Sequence, residues 1–257
     1  MPAAKAPYRR KSPSRQAAHK ENDMIKTVLF DLDGTLLPMD LDVFVKSYFG
    51  SLAKKMAPHG YDPDQLISAI WQGTMAMVKN DGSATNEVVF WKTASALVGE
   101  KIVQDAPLFE EFYAQDFPKI QAVCGFSPLA ARAVEVLKQK GISAVLATNP
   151  IFPAVATHCR AGWAGLNVQD FIHVTTMENC RYCKPSKAYY LDILSAVGAK
   201  PEECLMVGND VKEDMVAKAL GMQGFLLTDC LINKGGEDLS NYPHGDFNQL
   251  IEMLSAL

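Results

Sequence analysis

The sequence of 257 residues lacks any uninterrupted apolar run near the roughly eighteen residues that a membrane-spanning helix needs. It also lacks the charged-then-apolar start of a secretory signal, so we expect a cytoplasmic protein with no membrane partner. Cysteine is scarce, at six residues, which excludes a disulfide-stapled scaffold and favours free thiols in a reducing compartment. With 48% hydrophobic and 21% charged residues, the composition is instead that of an ordinary globular protein.

Positive charge is concentrated at the amino terminus. Residues 1–23 carry a net charge of +4, which leaves −8 for residues 24–257. Because an acidic body repels phosphates, no nucleic-acid partner is expected for it. The basic segment has few large apolar residues, which favours a disordered extension ahead of a start at Met24, although a transit peptide or a basic tether stays open.

Short apolar runs alternate with helix-length segments along much of the chain. Strands are expected in five places: residues 25–30, 142–148, 171–176, 203–208 and 224–228. Helices are expected over four segments: 129–140, 154–165, 186–197 and 212–220. This alternation predicts an α/β fold with a doubly wound parallel sheet, formed by residues 24–37 and 124–257.

Residues 38–123 interrupt the alternation with helical periodicity alone. Asp40, Asp62, Thr85 and Asp105 are expected helix starts, so the segment is predicted to be an inserted all-helical domain. Its many aromatic residues are interpreted as bundle core in preference to a ligand pocket. They are Phe44, Tyr48, Phe49, Trp71, Phe90, Trp91, Phe109, Phe112 and Tyr113.

Two carboxylates stand two residues apart at the end of the first predicted strand. Asp31 and Asp33 would share a face there, at the sheet edge where open α/β sheets bind ligands. Crowded carboxylates repel each other unless a cation or a shared proton compensates, which favours a functional role. A turn-forming Asp-Leu-Asp-Gly is the alternative that this pair alone leaves open.

Three further motifs follow in order. Residues 145–149 read VLATN, Lys184 precedes a proline, and residues 205–214 read LMVGNDVKED. Together with DLDGTLL at 31–37, these four motifs resemble those of the haloacid dehalogenase superfamily, in its phosphatase branch with a helical cap between the first and second motifs. The resemblance implies a Rossmann-like core carrying that inserted cap.

The resemblance also implies a mechanism. Asp31 would attack phosphorus and form an aspartyl phosphate, while Asp33 would act as general acid and base. Thr148 would donate a hydrogen bond to the phosphoryl group and Lys184 would supply positive charge. Amides near Gly34 and Thr35 would cradle the same group. Asn149 is interpreted either as a further phosphoryl contact or as part of a helix-entry loop.

The fourth motif departs from the family pattern, because Asn209 stands between Gly208 and Asp210. Asp210 is the favoured acidic metal ligand and Asn209 stays a candidate, with Asp31, Asp33 and Asp214 completing the predicted set. The acids outnumber Lys184, so a phosphate dianion would be repelled unless a divalent cation bound. Magnesium is the expected cofactor, because the candidate ligands are hard oxygen donors.

Hydrolysis of a small phosphorylated metabolite, such as a sugar phosphate or a phosphoglycolate-like acid, is therefore the predicted function. A non-catalytic binding protein, a phosphomutase and a phosphonatase are the alternatives. A phosphonatase would need a lysine from the inserted segment: Lys46, Lys54, Lys55, Lys79 or Lys92. Cys180 and Cys183 form a CxxC beside Lys184, for which a redox role is an open alternative to two ordinary thiols. The sequence does not determine the substrate or the oligomeric state.

Overall fold

A parallel sheet organises the protein. A computed structural model describes residues 24–257, and the basic segment 1–23 lies outside the described residues. The six strands follow the order β3-β2-β1-β4-β5-β6, and every neighbouring pair is parallel. They are β1 (Thr27–Phe30), β2 (Ser143–Leu146), β3 (His173–Val174), β4 (Cys204–Gly208), β5 (Gln223–Leu227) and β6 (His244–Gly245). All five predicted strands are present, whereas β6 was missed because two residues carry no periodic signal.

The first strand occupies the centre of this sheet. Phe30 pairs with Leu146 of β2 on one side and with Val207 of β4 on the other. Alternate residues of β1 face opposite layers: Val28 and Phe30 join one buried cluster, and Leu29 joins the other. Parallel strands need both faces covered, and helices cover them here. The α/β fold class is confirmed.

Four α-helices flank the sheet. They are α6 (Pro128–Lys140), α7 (Ala154–Trp163), α8 (Lys187–Val197) and α9 (Phe247–Ala256). The helix predicted over 212–220 is wrong as an α-helix, because only a 3₁₀ helix, Met215–Leu220, forms there. Its physical reason is local: the Asp210 carboxylate accepts the amides of Lys212 and Glu213, which holds a tight turn before the segment.

Five helices lie between β1 and β2. They are α1 (Leu41–Met56), α2 (Pro63–Val78), α3 (Asn86–Val98), α4 (Lys101–Gln104) and α5 (Ala106–Gln115), followed by the 3₁₀ helix Phe117–Val123. The side chains of Asp40, Asp62 and Thr85 cap α1, α2 and α3 as the sequence predicts. Asp105 precedes α5 without a side-chain cap. A division of the chain into two domains stays a prediction.

One buried cluster runs through both parts, since Phe44 and Leu52 of α1 belong to the same core as Phe30 of β1. Among residues 24–257, no helix combines the length and the apolar character needed to cross a bilayer.

This shared core gives a stability prediction. Leu52 of α1 is 1% exposed and Leu97 of α3 is 48% exposed. Truncating each leucine to alanine therefore compares a buried site with an exposed one. Leu52→Ala is expected to lower the free energy of unfolding by about 2–5 kcal/mol, through lost burial and a residual cavity. Leu97→Ala is expected to cost less than about 1 kcal/mol. Urea denaturation measures both, and equal losses would contradict the placement of α1 in the core.

Candidate active site

The candidate site lies at the carboxyl ends of the central strands. Asp31 directly follows β1, Asn209 directly follows β4, and Thr148 comes two residues after β2. Because these strands are parallel neighbours, their carboxyl ends meet at one edge of the sheet. The loop between β3 and α8 brings Lys184 to the same edge.

Lys184 lies between two carboxylates. Its Nζ is 2.8 Å from Asp31 Oδ1 and 2.7 Å from Asp214 Oδ1. All three residues are buried. Burial by itself would lower the pKa of Lys184, but the carboxylates of Asp214 and Asp31 raise it well above its usual value. The lysine therefore stays charged, and the structure brings together residues that are 30 and 153 positions apart.

Asp33 has a separate cation. Its Oδ2 forms an ion pair with Arg160 Nη1 of α7, while its Oδ1 is buried with no hydrogen-bond partner within residues 24–257. Burial raises the pKa of Asp33, Arg160 opposes the rise, and the charge of Asp31 adds to it. A carboxyl with a raised pKa and an unpaired oxygen is suited to holding and donating a proton.

Arg160 was missed by sequence reasoning. It is fully buried, and its guanidinium carbon lies 4.4 Å from the ring centroid of Phe152. A signal was present, because Arg160 is the one charged residue on the buried face of α7. The other residues of that face are Ala156, Thr157, Ala161 and Trp163. A charged side chain on a buried apolar helix face needs a partner of opposite charge.

Thr35 joins the nucleophile candidate to the fourth motif. Its hydroxyl is 3.1 Å from Asp31 Oδ2 and 2.9 Å from Asn209 Oδ1. Asn209 also donates from Nδ2 to the main-chain oxygen of Cys230 at 2.7 Å. These contacts hold the amide oxygen of Asn209 beside the Asp31–Thr35 pair.

Asp210 takes a different position from the one expected of the favoured metal ligand. Its Oδ1 accepts the amides of Lys212 and Glu213 at 2.8 and 2.9 Å, and its own amide donates to Asp214 Oδ2 at 3.0 Å. Asp210 thus closes the turn that positions Asp214, although it also lines the cavity described below. Direct contact with the Asp31–Thr35 pair belongs to Asn209.

Asn149 and Glu213 form a polar contact at the same edge. Asn149 donates from Nδ2 to Glu213 Oε2 at 3.1 Å and accepts the amide of Lys184 at 3.3 Å through Oδ1. Burial raises the pKa of Glu213 to about 7. The main-chain oxygen of Thr148 accepts the hydroxyls of Thr175 and Tyr189, which fixes the loop after β2. Asn149 is therefore tied to the site loops, and Glu213 is a neighbour that the sequence did not single out.

A cavity of about 620 Å³ extends from this edge towards α1, α2, α3 and α5. Its wall corrects the interpretation of the aromatic residues as bundle core alone. Of the nine predicted core residues, only Phe112 is absent from the wall, because the helices turn the other rings towards the space above the sheet. The rings on the wall are Phe44, Tyr48, Phe49, Trp71, Phe90, Trp91, Phe109 and Tyr113. The loop between β2 and α7 adds the ring of Phe152.

Cys180 and Cys183 are both buried and free. Burial raises the pKa of each thiol to about 12, so the nearby lysine does not produce a reactive thiolate. Of the two alternatives that the sequence left open, the raised pKa values favour two ordinary thiols over a redox role.

The model of the haloacid dehalogenase-like hydrolase family matches residues 25–221 of the chain. The chain belongs to this family. Its relatives include pyrophosphatase PpaX of Anoxybacillus flavithermus, 24% identical over 235 residues that cover 91% of this chain and 97% of the relative. Phosphoglycolate phosphatase 1 of Pseudomonas aeruginosa is 27% identical over 208 residues, covering 79% of this chain and 69% of the relative.

A solved structure of the same family also matches the fold of this chain. A phosphatase of the family from Thermococcus onnurineus superposes with a TM-score of 0.55 at 20% identity, covering 90% of this chain and 98% of the other. The predicted family and the Rossmann-like fold are confirmed. The family and the relatives named above show that this haloacid dehalogenase-like hydrolase is an enzyme and a phosphatase.

Gly34 gives a prediction about the site. It has φ +83°, and an added Cβ would lie 2.4 Å from Asn209 Nδ2; Gly60 has φ +86° with nothing within 4 Å. Ala at either position is expected to lower stability by about 1–2 kcal/mol through left-handed strain. Only Gly34→Ala should also displace Asn209 and abolish phosphatase activity. Thermal melts and turnover of p-nitrophenyl phosphate measure the two effects, and an active Gly34→Ala enzyme would contradict the close approach.

Proposed function

We propose that the protein is a magnesium-dependent phosphomonoester hydrolase that acts on a small phosphorylated metabolite through an aspartyl phosphate on Asp31. The observation that carries this proposal is the placement of Lys184 between Asp31 and Asp214, with Asp33 beside them on its own cation. Asp31 and Asp33 both line the cavity, so both can reach a bound ester.

The two aspartates would divide the chemistry. Asp31 attacks phosphorus, its bond to phosphorus forms, and the bond to the ester oxygen breaks. Asp33 gives its proton to the departing oxygen and then takes a proton from the water that attacks the aspartyl phosphate. The raised pKa of Asp33 supports the first role, since the proton must be present when the ester arrives. The charge of Arg160 stabilises the carboxylate that Asp33 becomes after the first step, and this carboxylate accepts the proton in the second step.

Lys184 and Thr148 would serve the transferred group. The charge of Lys184 compensates the negative charge on Asp31 and the phosphoryl oxygens, while Thr148, which lines the cavity, would donate its hydroxyl hydrogen to the same group. The side chain of Asn149 completes the proposed phosphoryl contacts. The amides of Gly34 and Thr35, which the sequence predicts to cradle this group, instead donate to the main-chain oxygens of Leu37 and Leu32 at 2.8 and 3.1 Å, because the chain turns tightly after β1.

The donors available for a cation are oxygen atoms. Among the described residues no group of three His, Cys, Asp or Glu side chains is arranged around one point, so the set would combine different donor types. Asp31, the main-chain oxygen of Asp33 and Asn209 or Asp210 fit magnesium, which takes few carboxylates and retains water. Asp214 is bound to Lys184 and to an amide, so it would orient this set. When bound, the cation would neutralise phosphoryl charge.

A phosphonatase has less support. It would need an amine facing the substrate, but none of the described lysines, including those at 46, 54, 55, 79 and 92, lines the cavity. Phosphomutase chemistry has no specific observation in its favour. A cytoplasmic location stays a prediction from cysteine usage.

Replacing the nucleophile tests the proposal. Asp31→Asn is expected to lower turnover of p-nitrophenyl phosphate by on the order of a thousand-fold or more, because an amide cannot form the acyl phosphate. Asp192→Asn removes an exposed carboxylate on α8 and should leave the rate unchanged. Steady-state assays of both variants decide the matter. Wild-type protein without any turnover would favour the non-catalytic alternative.

Metal removal is a separate test. Treatment with EDTA is expected to lower the rate by at least about a hundred-fold, since the acids at the sheet edge then repel the phosphate dianion. Adding magnesium back should restore the rate. Full activity in protein whose metal content is measured as nil would refute the cofactor assignment.

A further inference from the structure

The charges on the cavity wall all have one sign. Among residues 24–257, the acidic side chains that line the cavity are carboxyl groups of Asp and Glu, and no Lys, Arg or His belongs to the wall. The acids are Asp31, Asp33, Glu87, Glu110, Glu178, Asp210, Glu213 and Asp214. The two cations behind the site, Lys184 and Arg160, are already paired with aspartates. None of the described side chains in the cavity therefore offers a positive charge to a second anionic group of the substrate.

The amino terminus of α7 offers no anion site either. Helix amino termini bind anions through free amides, and α7 begins beside the cavity. Its first amide, that of Ala154, already donates to the Glu178 carboxylate at 2.9 and 3.1 Å. The position that a substrate carboxylate or second phosphate would use is filled by the protein's own carboxylate.

The hydroxyls that α1, α2 and α5 contribute to the wall are engaged with each other or with the backbone, unlike that of Thr148 at the sheet edge. The hydroxyls of Tyr48 and Tyr113 are 3.0 Å apart, and Thr74 donates to the Ile70 main-chain oxygen at 2.9 Å. What these residues leave exposed to the cavity is largely ring and methyl surface. An anion placed there would meet few donors in exchange for its lost hydration, which is costly. They are the indole N–H groups of Trp71 and Trp91 and the one hydroxyl hydrogen that the Tyr48–Tyr113 contact leaves free.

The cavity is also large for a two-carbon ester. Its volume of about 620 Å³ is within the range that holds drug-sized ligands. Aromatic rings from α1, α2, α3 and α5 form the wall away from the sheet, with Trp91 5.1 Å from Phe90 and 5.5 Å from Phe109 between ring centroids. Such walls bury planar apolar groups well.

From these contacts we infer that the leaving group of the substrate is an uncharged apolar alcohol, best an aromatic one, and that esters with a second anionic group are rejected. This inference rests on the proposed phosphatase function and narrows its substrate class. It departs from the phosphoglycolate-like acids that the sequence suggested.

A matched pair of esters tests the inference with magnesium-loaded, full-length protein. Benzyl phosphate and 4-carboxybenzyl phosphate differ by a single added carboxylate, and both release a benzylic alcohol, so their intrinsic reactivity is similar. We expect kcat/KM to be at least about ten-fold higher for benzyl phosphate, and a similar gap over phosphoglycolate. Equal or faster turnover of either anionic ester would overturn the inference while leaving the phosphatase function intact.

Two variants locate the effect in the cavity. Trp71 is 51% exposed and lines the wall, so Trp71→Ala should fold and raise KM for benzyl phosphate by about ten-fold, with little change for ethyl phosphate. Phe126 is 64% exposed and lies outside the wall, so Phe126→Ala is the matched control and should leave both KM values unchanged. Equal effects of the two variants would contradict the assignment.

A charge introduced on the wall gives the converse test. Thr74→Arg is expected to raise kcat/KM for 4-carboxybenzyl phosphate relative to benzyl phosphate by about ten-fold, because the cavity then holds a cation. An unchanged ratio in a folded variant would count against charge as the cause of the selectivity. If wild-type protein hydrolysed every ester no faster than the Asp31→Asn variant, the proposed function and this inference would fail together.

Discussion

The buried contact of Lys184 with Asp31 and Asp214 is the constraint on which the site depends. Removing three charged groups from water is costly, and the cost is recovered only when the opposite charges meet at hydrogen-bond distance. The backbone is shaped for this contact. A Cβ on Gly208 would lie 2.0 Å from Asp214 Oδ2, so only glycine allows β4 to end so close to that carboxylate. The end of β4, the loop after β3 and the end of β1 are thereby held in one arrangement.

The second ion pair separates the behaviour of two neighbouring acids. Asp31 contacts Lys184, whereas Asp33 contacts Arg160, so each carboxyl has its own cation. Burial raises the pKa of Asp33 in spite of Arg160, which suits an acid that must hold a proton. This difference supports the division of steps proposed for the two aspartates.

Arg160 also connects the site to the cavity wall. Its guanidinium packs on Phe152, whose ring centroid is 5.3 Å from that of Tyr48 in α1. The helices between β1 and β2 therefore contact the residue that tunes Asp33, through one aromatic ring. Positive charge lies below the acids, and the space above them is aromatic and acidic. This distribution supports the proposed separation of phosphoryl chemistry at the sheet edge from recognition of the leaving group in the cavity.

The sequence by itself determined the parallel sheet, the helical segment after β1 and the four motifs, because periodicity, caps and strand-end acids are local signals. It also placed Asp31, Lys184 and Asp214 in one candidate site through the order of those motifs. Only the tertiary structure decided that Arg160 pairs with Asp33 and that Asn209 contacts Thr35, since these partners are separated by 127 and 174 positions. The same holds for the aromatic rings. Helical periodicity shows that a face is apolar, but whether that face meets another helix or an empty cavity depends on how the helices pack above the sheet.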